Sequence, residues 1–190
     1  MGIRNFISED QIEKAAIEVF TQPDINYRHL DCFTIDKTGR TSEKEVVIKP
    51  LLWDKLKELN PDIPADALKT ALNKLTTVNK ITTPFQANRE MMKNLTLGVK
   101  IDITLPDGKR EPRYIKVIDW EHHENNDFLV VSQLWIQGDV YRLRPDLIIF
   151  VNGLPLVLIE LKNSNIQVKQ GYADNLTRYK KAIPDLFLYN

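Results

Sequence analysis

The chain has one cysteine, Cys32, so it can form neither an internal disulfide nor a thiolate zinc site, and a reducing compartment suits it. No stretch approaches the ~18 consecutive apolar residues of a membrane span, and the opening Met1-Gly2-Ile3-Arg4-Asn5 leads into polar sequence, not a signal-peptide core. These absences predict a cytoplasmic protein. Charge of one sign is missing too: 26 Lys and Arg balance 26 Asp and Glu, so any surface that meets a polyanion must be a local patch. There is no Gly-x-x-x-x-Gly-Lys-Ser/Thr loop, which excludes a P-loop nucleotide site, and there is no internal repeat or low-complexity linker. What remains is 190 residues of ordinary globular composition, enough for one domain with a full core but not for two large ones.

Hydrophobic periodicity divides the chain near Gly98. Ser8 with Gln11 is a capping-box pattern, and Ile12, Ala15, Ala16, Val19 and Phe20 recur on one helix face. A short strand and turn are predicted over 27–39, helices over 51–59 and 65–78, and a further helix from Pro84 to Leu97. Residues 1–98 therefore read as a mainly helical N-terminal part. After Gly98 the period becomes two, predicting a β-meander over 99–118, a strand over 128–136, and strands over 147–151 and 156–161 joined by Asn152-Gly153, a strong hairpin signal. The last two are apolar on both faces, as in strands at the middle of a covered sheet. A helix from about Lys169 to Ala182 and a terminal strand over 185–190 complete the reading. Residues 99–190 thus hold the meander, the hairpin and the following helix of one domain, within a chain that reads as a piece of something longer. The expected architecture is α/β (α+β), a mixed sheet flanked by helices and preceded by a helical segment.

Charges that close apolar strands are the informative feature. Asp146 begins one such strand, and Glu160 and Lys162 end its neighbour; desolvating a charge costs several kcal/mol unless something compensates it. Two carboxylates converging from adjacent strands offer hard oxygen ligands to Mg²⁺, which keeps several waters and also binds phosphate. A Lys beside them orients or deprotonates an attacking water, so the constellation points to metal-assisted phosphodiester hydrolysis. The bare pattern is common by chance, in roughly half of chains this long on average composition; its placement on two apolar strands is not. The geometry carries a condition. With a regular two-residue Asn152-Gly153 loop Asp146 faces Ile159, and Glu160 points to the opposite side. A three-residue loop, or a bulge near Leu154-Pro155, is required to bring Asp146, Glu160 and Lys162 onto one face.

Several further residues compete for attention. Arg142, Arg144, Lys162, Lys169, Arg178, Lys180 and Lys181 gather around the hairpin and are candidates to track a phosphate backbone, with a solvated helix face as the alternative for Lys180 and Lys181. Asp107-Gly108-Lys109 and Glu121-His122-His123-Glu124 read as an exposed turn and an exposed loop. His29 and Cys32 have no recognisable partner pattern, and Glu13 and Glu18 lie on the first predicted helix.

The stretch Asp127-Phe128-Leu129-Val130-Val131-Ser132-Gln133, and the run from Arg144-Pro145-Asp146 through Asn152-Gly153 to Glu160-Leu161-Lys162, resemble the N-terminal domain of the type I restriction enzyme R (endonuclease) subunit. The resemblance extends through Tyr189-Asn190 and more loosely into the helical half. It implies the restriction-endonuclease-like fold of the PD-(D/E)xK nucleases, with Asp146, Glu160 and the main-chain carbonyl of Leu161 as Mg²⁺ ligands and Lys162 as the catalytic lysine. That family also carries a Gln and a Tyr four residues apart on the next helix; here Asn175 and Tyr179 match, on one helix face, with an Asn that reaches one methylene less far. The resemblance further implies cleavage of double-stranded DNA in a complex with methylase and specificity subunits, ATPase motor domains downstream, and ATP and S-adenosylmethionine as cofactors of the full complex only. Two other readings are a DNA-holding or subunit-docking module without catalysis, and a junction or repair nuclease of the same fold.

Overall fold

A computed structural model describes residues 8–77, 83–104, 108–162 and 176–190. Helix α1 (Glu9–Thr21) starts at the expected capping box, with Ser8 and Gln11 exchanging side-chain and backbone hydrogen bonds. Strand β1 (Arg28–Asp31) follows, then α2 (Lys49–Leu59), α3 (Ala65–Thr76) and α4 (Pro84–Leu97), the last again capped by a box, Thr83 with Gln86. Strands β2 (Val99–Thr104) and β3 (Arg110–Ile115) form an antiparallel pair. Beyond a 3-10 turn at His123–Asn125 come β4 (Phe128–Ser132), β5 (Ile136–Gln137), β6 (Arg142–Leu143), β7 (Leu147–Val151) and β8 (Leu154–Ile159). Helix α5 (Thr177–Ala182) and a 3-10 helix (Pro184–Leu188) end the chain. No described helix is long and apolar enough to cross a membrane.

The central sheet is mixed, in the order β1-β4-β7-β8, with β1 parallel to β4 and the other pairs antiparallel. Its two faces bury different partners. Leu129, Val131, Ile148 and Phe150 join the main core, which includes Leu52 and Leu56 of α2 and the buried side of α3 and α4. Val130, Leu147 and Ile149 form a second cluster that Ala16, Ile17 and Phe20 of α1 cover, with Tyr27 stacked between Phe20 and Phe128. All five residues of β7 are buried, and each such side chain contributes ~1.5–3 kcal/mol of apolar transfer. The N-terminal part therefore supplies a strand and a covering helix to the sheet that carries the hairpin.

Four sequence expectations change. The β2–β3 pair is a separate sheet packed on α3, so no meander continues into the central sheet. The strand expected over 128–136 breaks at Gln133, whose φ of 55° takes the backbone out of extended geometry, and Ile136–Gln137 pairs with Arg142–Leu143 instead. Strand β7 is central as expected, but β8 is the sheet edge among the described residues, with Val157 43% exposed. In place of the strand expected over 185–190, Pro184–Leu188 form a 3-10 helix, and Leu186, Leu188 and Tyr189 all turn into the core. There the Asn88 amide donates to the carbonyls of Phe187, Leu188 and Asn190, and Tyr189 donates to the Leu75 carbonyl at 2.7 Å.

The hairpin turn is not a surface feature. Asn152 and Gly153 adopt φ of 53° and 83°, the left-handed geometry a two-residue hairpin turn needs, yet Asn152 is 0% exposed. Its amide donates to Val117 O and Asn126 Oδ1 and accepts from Asp127 N, each at 2.8 Å. Asn126 in turn accepts from Asp119 N, and Asp119 accepts from the amides of Glu121 and His122, from the Asn125 side chain and from Lys116 Nζ. These bonds, with the Asn125 side chain foremost, hold the Asp119 carboxyl at about 2, below its ordinary 3.8. A carboxyl lowered in the folded state stabilises the fold above the unfolded value and loses that contribution as pH falls through the folded one. Denaturant melts of wild type and Asp119→Asn should therefore differ at pH 7 and converge between pH 3.8 and about 2; a gap that is constant with pH would contradict this. The His122-His123 segment is exposed, as expected, and the two rings sit beside Glu124. Gly108 and Lys109 are likewise exposed.

Candidate active site

The hairpin meets the parity condition through a bulge. The two-residue turn pairs Val151 with Leu154 and Phe150 with Pro155, but Ile149 then pairs with Val157, so Leu156 is the extra residue. Pro155 has no amide donor, which favours irregular pairing at this point. The shift aligns Leu147 with Ile159, and the next step outward places Asp146 opposite Glu160. The Leu161 amide donates to Asp146 Oδ2 at 2.7 Å, which locks that alignment, while the Asp146 carbonyl accepts from Gln133 N.

Four side chains meet at this end of the sheet. Lys162 Nζ lies 3.7 Å from Glu160 Oε2. Tyr179 on α5, 2% exposed, donates its hydroxyl to Glu160. Burial pushes the Glu160 carboxyl up, the Tyr179 bond opposes that, the nearby Asp146 charge adds to it, and Lys162 and Arg178 oppose it. Burial and the Glu160 carboxylate raise the Tyr179 phenol, so it stays a donor at neutral pH. Helix α5 comes close to the β5–β6 connection: a Cβ on Gly138 would lie 1.8 Å from the Ala182 carbonyl. Glycine there lets the helix that carries Tyr179 seat against the sheet.

A carboxyl raised by folding makes the folded state bind the extra proton, so its ionised form destabilises the fold above the raised value. Glu160→Gln keeps an acceptor for Tyr179 and removes the buried charge. Its melting temperature at pH 7 should equal or exceed that of wild type, by roughly 2–4 °C per kcal/mol relieved, and the difference should close as pH falls towards the ordinary 4.5. A clearly lower melting temperature at pH 7 would mean that Glu160 serves the fold and is not held against it.

On the α1 side, Asp146 opens into a cleft of about 650 Å³ lined also by Glu13, Glu18, His29, Asp31, Gln133 and Arg144. Gln133 donates to Glu13, whose carboxyl is raised by burial, lowered by that bond and raised again by Asp146. His29 Nε2 shares a hydrogen bond with Ser132 Oγ at 2.9 Å, and burial lowers its ring below the ordinary 6.5. Neither partner of Gln133 nor that of His29 is legible from sequence spacing, since |i−j| exceeds 100 in both pairs.

The basic candidates separate. Arg142 is paired with Glu43 and lies over the Trp135 ring, whereas Arg144 lines the cleft beside Asp146. Arg178 stays near the Tyr179 ring, Lys180 lies over Phe187, and Lys181 is exposed. Lys169 and Asn175, and the start of the helix expected from Lys169, lie outside the described residues.

The family described as the type I restriction enzyme R protein N terminus matches residues 6–190. This chain belongs to that family. The HindI endonuclease subunit of a type I restriction enzyme from Haemophilus influenzae is 31% identical over 190 residues, covering 97% of this chain. A Methanocaldococcus jannaschii protein named as the MjaIXP endonuclease subunit is 30% identical over 192 residues, covering 96%. The chain spans 18% of the length of each of these two relatives. A type I endonuclease subunit from Staphylococcus saprophyticus shares 37% identity over 68 residues, 36% of this chain and 7% of its own length. The mixed sheet with its flanking helices agrees with the restriction-endonuclease-like α+β fold.

The donor set fits Mg²⁺. Among the described residues no group of three or more His, Cys, Asp or Glu side chains forms a cage. A cage is not needed, because Mg²⁺ binds through one or two carboxylates and retains waters. Two carboxylates opposed across a bulged hairpin, close enough for one charge to raise the other's pKa, gain most from a shared cation.

Proposed function

We propose that this domain is the Mg²⁺-dependent nuclease of a type I restriction endonuclease subunit and hydrolyses phosphodiester bonds of double-stranded DNA. The observation that carries this reading is the Leu156 bulge, which sets Asp146 at the start of the buried strand β7 against Glu160 at the end of the edge strand β8, with Lys162 beside them. The bulge follows Pro155, which has no amide to offer the ladder, and its consequence is to oppose the two carboxylates. Asp146, Glu160 and the Leu161 carbonyl would hold the ion, which supplies positive charge for the phosphoryl oxygens and lowers the pKa of water at the site.

The protein's own groups have distinct tasks. The bond from Leu161 N occupies Asp146 Oδ2, so Oδ1 is the oxygen that would meet the ion. The Tyr179 hydroxyl favours the ionised Glu160 carboxylate, opposing the effect of burial. Lys162, tethered loosely to Glu160, is free to swing its ammonium towards an incoming water or the scissile phosphate, orienting the water or moving its proton. In the complete protein this domain acts with the methylase and specificity subunits, downstream motor domains supply ATP-driven movement, and S-adenosylmethionine serves the complex rather than this site. Cleavage of plasmid DNA by the full complex carrying Asp146→Asn or Lys162→Ala tests the reading.

A further inference from the structure

Arg144 and Arg142 lie two residues apart, yet their surroundings differ. Arg142 donates to both Glu43 oxygens, at 2.5 and 2.7 Å, and its Cζ sits 4.0 Å from the Trp135 ring centroid. Arg144 has its Cζ 5.0 Å from that same ring and 4.8 Å from Phe33, and among the described residues no carboxylate pairs with it. Two guanidinium groups over one indole repel each other unless one is neutralised. Glu43 neutralises Arg142 and leaves the full charge on Arg144, which lines the cleft with Asp146.

Phe33 is 57% exposed, although its loop is firmly anchored. The Arg40 side chain, fully buried, ties Asp36 to the carbonyls of Glu45 and Trp135. A large aromatic held at the mouth of the cleft contributes little to the core; its contact is with Arg144. Acidic side chains predominate along the α1 wall of the cleft, with Lys14 the other cation lining it, so a nucleic-acid strand entering it meets repulsion except at the cations. Aromatic contacts hold a guanidinium plane while leaving its N–H edges for bidentate bonds to phosphate.

We infer that Phe33 and Trp135, with Glu43 and Arg142 behind them, cradle Arg144 as the clamp for a DNA backbone phosphate next to the Asp146–Glu160 pair. Arg144 touches the substrate; Phe33, Trp135, Arg142 and Glu43 are positioning residues. The inference rests on the nuclease reading of the site.

Arginine labelling with phenylglyoxal, read by mass spectrometry on the full complex with and without duplex DNA, tests it directly. Duplex DNA should protect Arg144 and leave Arg142 unchanged. The protection should persist in Asp146→Asn, since binding a phosphate does not need chemistry. Phe33→Ala, at an exposed position, should raise the DNA concentration for half-protection about three- to fivefold, and Phe33→Tyr should restore it. Arg144→Gln should lower the salt dependence of cleavage by about one released counterion. Equal labelling of Arg144 with and without DNA, or wild-type protection in Phe33→Ala, would overturn the clamp while leaving the nuclease reading intact. Cleavage by Asp146→Asn alongside normal protection would instead overturn the nuclease reading and keep the clamp.

Discussion

Asp146→Asn and Lys162→Ala are each expected to slow DNA cleavage by the full complex about 10²–10⁴-fold, while the folded domain and ATP hydrolysis by the complex persist. A 10³-fold loss corresponds to ~4 kcal/mol of transition-state stabilisation. The choice of Asn matters. Its Oδ1 can still accept from the Leu161 amide, the bond that at 2.7 Å aligns the two strand ends, so the variant removes charge and leaves the register. Lys162 lies 28% exposed beyond the last residue of β8, and its loss removes an ammonium 3.7 Å from Glu160 but leaves the Tyr179 bond in place. Single-turnover nicking of plasmid DNA measures the loss, and thermal melts check the fold. Cleavage at the wild-type rate in either variant, with ATP hydrolysis intact, would refute the assigned site.

Gly153→Ala should be among the most damaging single substitutions for stability, although it lies far along the hairpin from Asp146. A Cβ at this position would sit 2.6 Å from the Ile48 carbonyl and 2.9 Å from the Leu52 amide, both backbone atoms at the start of α2. Its φ of 83° adds strain for any side chain. Nor can α2 move aside without cost: Ile48 N donates to the Gly153 carbonyl at 2.9 Å, and Leu52 and Leu56 are fully buried. Left-handed strain of ~1 kcal/mol and overpacking of ~1–3 kcal/mol give an expected loss of about 2–4 kcal/mol, a fall in melting temperature of roughly 5–15 °C. Gly108→Ala is the internal control, since Gly108 has the same φ with nothing within 4 Å of a Cβ. It should lose only the ~1 kcal/mol of backbone strain. Equal losses in the two variants would show that the approach of α2 to the turn carries no weight.

These two predictions concern one hairpin, and they mark different depths of legibility. The catalytic candidates stand out in sequence because charge at the ends of strands as apolar as Leu147–Val151 is a local anomaly. The turn was equally plain, since Asn-Gly favours left-handed backbone. That the turn is buried was hidden: what covers it, Ile48 and Leu52, precedes it by about a hundred residues, and period-two alternation says nothing about which helix lies on a loop. The same limit explains the 3-10 helix at 184–188, where the Asn88 amide occupies three carbonyls that a strand would offer to a neighbour.

Legible in the sequence were the capped helix start at Ser8, the helix opened by Pro84, the strands expected over 147–151 and 156–161 with the Asn152-Gly153 turn between them, and the need for an irregularity between Asp146 and Glu160, because capping, alternation and strand parity are local rules; the second strand in fact runs Leu154–Ile159. Tertiary structure decided where the irregularity falls, at Leu156, and what surrounds the result. It placed Tyr179 behind Glu160, Gln133 on Glu13, and Phe33 and Trp135 around Arg144. Each of these is a contact between separate elements, fixed by how α1, α5 and the loop after β1 pack on the end of the sheet. Packing of that kind depends on the shape of the whole core, and no spacing within a single segment encodes it.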